Sequence, residues 1–262
     1  MEQKILNDLL GPVHAVAMEA AYAIAEIVNS GQAEVTTKAD GSPLTAADLA
    51  SHRVISEGLT GLEKPWPIVS EEGDLDRVVA EAPPIYWLVD PIDGTKEFIA
   101  GIPEYTVNIA LVERGVPVLG VVVVPASGET YLAARGCGAR CIRGGEQSML
   151  TPSQAARPRS AVTSRSHPSA ATQEYLGKLG VEEIIGKGSS LKFCVVADGS
   201  ADFYPRLSPL NYWDSGAGAA VAIEAGCELI DTRGEGLSYD LARGLKHSGF
   251  ILKPRGMQIE LP

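Results

Sequence analysis

The sequence predicts a mixed α/β protein, and three features of the residue pattern predict it. Two amphipathic helical stretches come first, a run of short β-like segments joined by tight turns follows, and beyond about residue 160 strand and helix patterns alternate. At roughly 100–200 residues per domain, the 262-residue chain is one large domain or two closely packed ones, with length enough to bury a substantial core.

Between Glu2 and Asn29 the apolar residues Ile5, Leu9, Val13, Val16, Ala20, Ile24 and Ile27 recur at helical spacing, and Ser30-Gly31 closes the pattern as a C-cap. Pro12 either kinks this helix or opens a second one. A loop of turn formers, Lys38 to Pro43, leads to a second helix starting near Thr45, where Thr45-Ala-Ala-Asp48 matches a capping box.

After Gly61 the texture changes to β-like runs at Pro67–Ser70, Ile85–Asp90, Tyr105–Glu113, Val116–Val124 and Glu129–Ala134. Arg114-Gly115 and Pro125-Ala-Ser-Gly128 separate neighbouring runs as hairpin turns do, so the sheet is expected to be largely antiparallel. The Gly-, Arg- and Pro-rich stretch Arg135–Arg159 reads as a connection, dividing an N-terminal α+β domain (1–135) from a C-terminal α/β domain (136–262). In the second part Ala161–Ser164 reads as a strand, and Ser169–Leu179, Leu191–Asp198 and Tyr212–Ala225 read as helices.

Composition narrows the function. Apolar residues are 45% of the chain, which excludes bulk disorder, and 33 acidic against 22 basic residues give a net charge of −11. Such a balance repels nucleic acid and anionic lipid, so an anionic ligand must be met by local cations. Charged residues interrupt Glu2–Leu10, so no signal peptide is readable, and the longest apolar run, Val116–Val124, is too short to cross a membrane. A cytoplasmic location is expected. The four cysteines lack zinc-like spacing and read as buried or incidental thiols.

The informative pattern is acidic residues at the downstream ends of hydrophobic strands. Ile68-Val69-Ser70 runs into Glu71-Glu72-Gly73-Asp74, and Trp87-Leu88-Val89 runs into Asp90-Pro91-Ile92-Asp93-Gly94-Thr95. Ligand sites collect at the carboxyl ends of strands, and carboxylates brought together there oppose one another unless protons or cations intervene. A hard divalent cation such as Mg²⁺, which takes carboxylate and carbonyl oxygens, resolves the conflict. The blander reading of each piece is a solvated turn, since Asp-Gly and Glu-Glu-Gly-Asp are common loop sequences.

Taken together, the string Trp87-Leu-Val-Asp-Pro-Ile-Asp-Gly-Thr-Lys-Glu-Phe98, with Ser70-Glu-Glu72 upstream and Trp213-Asp-Ser-Gly-Ala-Gly218 downstream, resembles the signature set of the inositol monophosphatase superfamily. Within it the set is similar to that of the 3′(2′),5′-bisphosphate nucleotidases of the CysQ type. The resemblance implies a layered α-β-α-β-α sandwich of the inositol monophosphatase and fructose-1,6-bisphosphatase type. It implies two or three Mg²⁺ ions held by Glu71, Asp90, the Ile92 carbonyl, Asp93 and Asp214, and a water activated by the pair Asp48 and Thr95, with Glu71 in the shell of the activating ion. Ile92 stands where leucine is usual, and Gly216 where alanine is commoner, an exchange that bears on the rigidity of a helix start.

A phosphate also needs N–H donors, which helix starts provide at Gly94-Thr95 and Asp214-Ser215-Gly216. The segments Ser164–His167, Gly188–Cys194 and Tyr204–Arg206 gather cations and hydroxyls in an otherwise acidic chain. The resemblance places Ser189, Lys192 and Arg206 near the second phosphate of a nucleotide and His167 near its base or sugar. The implied activity is conversion of adenosine 3′,5′-bisphosphate to AMP and phosphate; the alternatives are an inositol-phosphate phosphatase on the same fold and a non-catalytic nucleotide or metal sensor. An aspartyl-phosphate mechanism with Asp90 as nucleophile favours two carboxylates one residue apart, whereas two residues separate them here. Among partners, a homodimer and peripheral attachment to the inner membrane are left open, and a small phosphorylated nucleotide is expected rather than nucleic acid.

Overall fold

Apolar side chains recur every three or four positions from Leu6 to Ile24, all of them buried, and the segment folds as one helix, α1 (Gln3–Ser30). The structure, a computed structural model, describes residues 1–31, 35–37, 41, 43–165 and 169–262. Pro12 lies within α1 on its exposed side, one turn after the equally exposed Asp8. Gly31, at φ 69°, ends the helix in the left-handed conformation that glycine adopts without strain.

Two short strands, β1 (Val35–Thr37) and β2 (Pro43–Thr45), pair antiparallel, a feature with no periodic signal; the turn-rich loop expected between them lies partly outside the described residues. Helix α2 (Ala46–Thr60) begins at the Thr45 cap as expected, with both hydrogen bonds of the capping box formed. There follow β3 (Ile68–Ser70), α3 (Leu75–Glu81), β4 (Ile85–Asp93), α4 (Thr95–Ile99), β5 (Thr106–Glu113), β6 (Val116–Val124) and β7 (Glu129–Ala134). The next two strands, β8 (Ala139–Arg143) and β9 (Glu146–Met149), complete a seven-stranded sheet in sequence order, parallel between β3 and β4 and antiparallel elsewhere. Arg114 and Gly115, at φ 51° and 75°, make the tight hairpin turn between β5 and β6.

The stretch Arg135–Arg159 is therefore not a plain connection: β8 and β9 occupy its first half. Their pattern gave no signal because only Ala139 and Cys141 point inward from β8, and β9 is exposed throughout.

Beyond residue 160 come β10 (Ser160–Ser164), α5 (Ala170–Leu179), β11 (Glu183–Lys187), α6 (Leu191–Ala197), β12 (Tyr204–Arg206), β13 (Leu210–Asn211), α7 (Trp213–Ala225), β14 (Cys227–Ile230), β15 (Lys246–His247) and β16 (Phe250–Pro254). β10 and β11 are parallel, and β12-β16-β14 form an antiparallel sheet bridged to β10 at Ala161 and Phe203.

Alternation along the large sheet builds the layers. Trp87, Val89, Ile109, Leu111, Val121 and Val123 face α1 and α2, while Leu88, Ala110, Val112 and Val122 face α6 and α7. Both faces are covered by helices, which is why Val116–Val124 reads as an unbroken apolar run. Each fully buried side chain of this size contributes about 1.5–3 kcal/mol. On the far side of α6 and α7 lie β10, β12, β14 and β16, and α5 closes the stack through Tyr175 and Leu176 against Phe203 and Ile251. The order is α-β-α-β-α. Gly216 does not loosen α7: a Cβ there would meet Leu88 Cδ2 at 2.6 Å, so the leucine already fills the space of a methyl group. The downstream ends of β3 and β4 and the start of α7 open onto one cleft.

Candidate active site

Regular pairing sets Asp90 of β4 opposite Asn108, but Asp93 falls opposite Thr106, so three steps along β4 answer two along β5. This one-residue bulge matters for chemistry. Residues three apart on a regular strand point to opposite faces, and the extra residue turns both carboxylates to the same one. The Ile92 N–H, 3.1 Å from Asp90 Oδ1, tightens the bulge. Glu71 follows β3 directly, with Ser70 opposite Val89 and the Glu71 N–H donating to the Val89 carbonyl at 3.2 Å. Asp214 enters from the first turn of α7, its Oδ2 held by the Asn211 N–H at 3.3 Å and the Asn211 amide at 3.4 Å.

One carboxylate oxygen each from Glu71, Asp90 and Asp214 lie within 4.8 Å of one another. Asp93 belongs to the same group electrostatically. Burial, reinforced by Glu71, Asp93 and Asp214, pushes the Asp90 carboxyl well above its ordinary range. Burial, then Asp93 and Glu71, push Asp214 up to about 8. Asp93 is raised by burial, an effect opposed by Lys192 and by the Ser190 hydroxyl. Asp90 Oδ2 is buried and without a hydrogen-bond partner. A cluster of hard oxygen donors that must keep protons when no cation neutralises it, one of its oxygens orphaned, is the donor set a hard divalent cation takes.

Asp48 carries two duties at once. Its Oδ2 accepts from the Thr45 N–H at 2.7 Å and the Thr45 hydroxyl at 2.6 Å, completing the cap of α2. Its Oδ1 faces the Thr95 hydroxyl at 3.5 Å, which also lies 3.2 Å from the Ile92 carbonyl. The cap thus fixes the rotamer that leaves one oxygen for Thr95.

The cleft has a volume of about 370 Å³; Glu71, Asp90, Asp93, Gly94 and Thr95 line one wall, and Ser189, Lys192 and Arg206 another. Lys192 is buried, donates to the Ser189 carbonyl and sits 5.8 Å from the Tyr204 ring centroid. Arg206 donates to the Pro209 carbonyl at 3.1 Å. His167 lies outside the described residues. The expected N–H cradle at Asp214-Ser215-Gly216 is corrected at its last two positions. α7 starts at Trp213, and the Ser215 and Gly216 N–H groups already donate to the Tyr212 carbonyl, at 3.2 and 2.9 Å. Thr95 does open α4, where the first N–H groups have no partner within the helix.

Sequence reasoning missed Ser190, whose hydroxyl lies 3.1 Å from Asp93 Oδ2 and 2.9 Å from the Asp214 carbonyl, tying the bulge to the start of α7. It missed Asn211 as well. Neither had a local signal: a lone serine carries no pattern, and Asn211 precedes a helix start that has no side-chain cap.

Five alternating layers with an acidic cluster at their cleft define the class of phosphatases to which known structures of this shape belong. The chain belongs to the inositol monophosphatase family, whose pattern it matches over residues 9–257. A 3′(2′),5′-bisphosphate nucleotidase CysQ of Shigella flexneri is 43% identical over 249 residues, covering 92% of this chain and 98% of the relative. A crystal structure of CysQ from Bacteroides thetaiotaomicron superposes with a TM-score of 0.83 at 37% identity, over 95% of this chain and 97% of that one. The inositol monophosphatase of Thermotoga maritima superposes at 0.78 with 26% identity, over 95% and 93%. Among the described residues no helix is long and apolar enough to cross a membrane.

Proposed function

We propose that the protein is a Mg²⁺-dependent 3′(2′),5′-bisphosphate nucleotidase that converts adenosine 3′,5′-bisphosphate to AMP and phosphate. The observation that carries the reading is the pairing, in one cleft, of an acidic wall of Glu71, Asp90, Asp93 and Asp214 with a cationic wall of Lys192 and Arg206. The names of relatives at 43% identity support the substrate. Residues 1–135 supply most of the acidic wall, and residues 136–262 supply Asp214 and the cationic one.

Two or three Mg²⁺ ions, held by Glu71, Asp90, the Ile92 carbonyl, Asp93 and Asp214, would neutralise the scissile phosphate and lower the pKa of a water. Thr95 Oγ1 accepts a proton from the attacking water as its own proton passes to Asp48 Oδ1; Oδ2 stays on Thr45 and keeps the acceptor aligned. The Gly94-Thr95 turn offers N–H groups to the scissile phosphate. Ser189, Lys192 and Arg206 meet the second phosphate with charge-assisted hydrogen bonds, and His167 serves the base or sugar. No covalent intermediate is required.

The test is a phosphate-release panel with Mg²⁺ over adenosine 3′,5′-bisphosphate, inositol 1-phosphate and fructose 1,6-bisphosphate. The first should lead by at least about tenfold in kcat/KM, equivalent to about 1.4 kcal/mol of transition-state binding. Equal or faster turnover of inositol 1-phosphate overturns the nucleotide assignment.

A further inference from the structure

Glu104, in the connection between α4 and β5, belongs to neither wall of the cleft, yet its buried carboxylate gathers two other segments of the chain. Arg165, at the end of β10, donates from Nε to Oε2 and from Nη2 to Oε1, both at 2.8 Å. The Gly188 N–H donates to Oε2 at 2.8 Å, and Lys187 Nζ lies 3.4 Å from Oε1. These partners, the Arg165 hydrogen bonds foremost, hold the carboxyl down at about 2, so it is charged at neutral pH.

The backbone of Glu104 is wedged between two turns of the cleft. A Cβ at Gly188 would lie 2.6 Å from the Glu104 carbonyl oxygen, and one at Gly94 would lie 3.1 Å from the same oxygen and 3.4 Å from Ser189 Cβ. Next to Gly188, Ser189 takes φ 47°, a left-handed conformation that a residue with a side chain holds only when its surroundings impose it. From that turn Ser190 reaches Asp93, and Lys192 donates back to the Ser189 carbonyl.

Stability alone does not account for this anchor. The Arg165 side chain is 44% exposed and that of Lys187 is 35% exposed, and ion pairs so open to water are worth little to the fold. What a two-pronged arginine pair does supply is orientation. We propose that Glu104 is a positioning residue: without touching substrate, it sets the Gly188–Ser189–Ser190 turn against Gly94 and so places Ser189 and Lys192 for the second phosphate of a bisphosphorylated nucleotide. The inference rests on the nucleotidase reading above.

The test compares wild type, Glu104→Ala and Glu104→Gln on adenosine 3′,5′-bisphosphate and on 3′-AMP, which offers the same scissile phosphate without the second one. The ratio of the two kcat/KM values should fall about tenfold in Glu104→Ala, mainly through KM for the bisphosphate, which is the scale of a single charge-assisted hydrogen bond. Glu104→Gln, which still accepts the Gly188 N–H, should recover part of it. Amide hydrogen exchange at 188–190 should quicken in Glu104→Ala without any substrate present. An equal loss on both substrates, an unchanged ratio, or unchanged exchange at the turn overturns the proposal. If the wild type itself shows no preference for the bisphosphate, the nucleotidase reading falls with the substrate half of this inference, and the exchange data alone decide whether Glu104 holds the turn.

Discussion

Asp90 and Asp93 present their carboxylates to the same face of β4 because the strand carries one more residue between them than its partner does. The crowding that follows is unfavourable by itself, and the proposed metal dependence would be a consequence of that backbone geometry. Asp93→Asn and Asp214→Asn each replace one ionisable carboxyl of the cluster at nearly constant shape. Both should lower Mg²⁺-dependent phosphate release by more than about a hundredfold, while the melting temperature without metal stays level or rises. A drop in that metal-free melting temperature would show that the carboxylates support the fold instead.

Thr45 and Thr95 flank Asp48 and should separate stability from chemistry. Thr45→Ala removes the α2 cap and should cost about 1 kcal/mol of stability, with a secondary loss of kcat as Asp48 swings free. Thr95→Ala should leave thermal unfolding unchanged and lower kcat by about 10²–10⁴. Denaturant melts set beside steady-state rates distinguish the two.

The pH dependence has a definite sign. Asp214 sits at about 8 in the metal-free folded protein against an ordinary value of 3.8. Between those values the folded state keeps a proton that the unfolded state has lost, so this group's contribution makes the metal-free protein less stable as pH rises. Mg²⁺ competes with that proton. The gain in melting temperature on adding Mg²⁺ should therefore be larger at about pH 8.5 than at about pH 5.5, as scanning calorimetry would read it.

Glycines that let α7 approach the sheet differ in what faces them. A Cβ at Gly120 would meet the Ala217 carbonyl oxygen at 2.4 Å, a backbone atom inside a helix, whereas at Gly216 it meets the end of the Leu88 side chain. Gly120→Ala should lose about 3 kcal/mol or more, and Gly216→Ala about 1 kcal/mol as Leu88 changes rotamer. Equal losses by denaturant melt would contradict this packing.

The elements that were legible in the sequence are those with strong periodicity: α1 with its glycine cap, the Val116–Val124 strand and the Thr45 capping box. The acidic ends of β3 and β4 were legible too, because charge after an apolar strand has few structural uses. β9 was not, since an edge strand exposed throughout carries no alternation, and neither was β8, which buries only the small side chains of Ala139 and Cys141. The start of α7 was placed one residue early, at Tyr212, and the supposed N–H cradle at residues 214–216 fell inside the helix, because no side-chain cap marks that end. Ser190 and Glu104 act through hydrogen bonds to Asp93 and Gly188, far along the chain, and such pairings have no local signature.

Anomalous scattering from a crystal soaked in Mn²⁺, standing in for Mg²⁺, tests the central claim most directly. Peaks are expected among Glu71, Asp90, Asp93 and Asp214 in the wild type and should be lost or weakened in Asp214→Asn. Ions bound elsewhere, with these four carboxylates left to protons alone, would contradict the account.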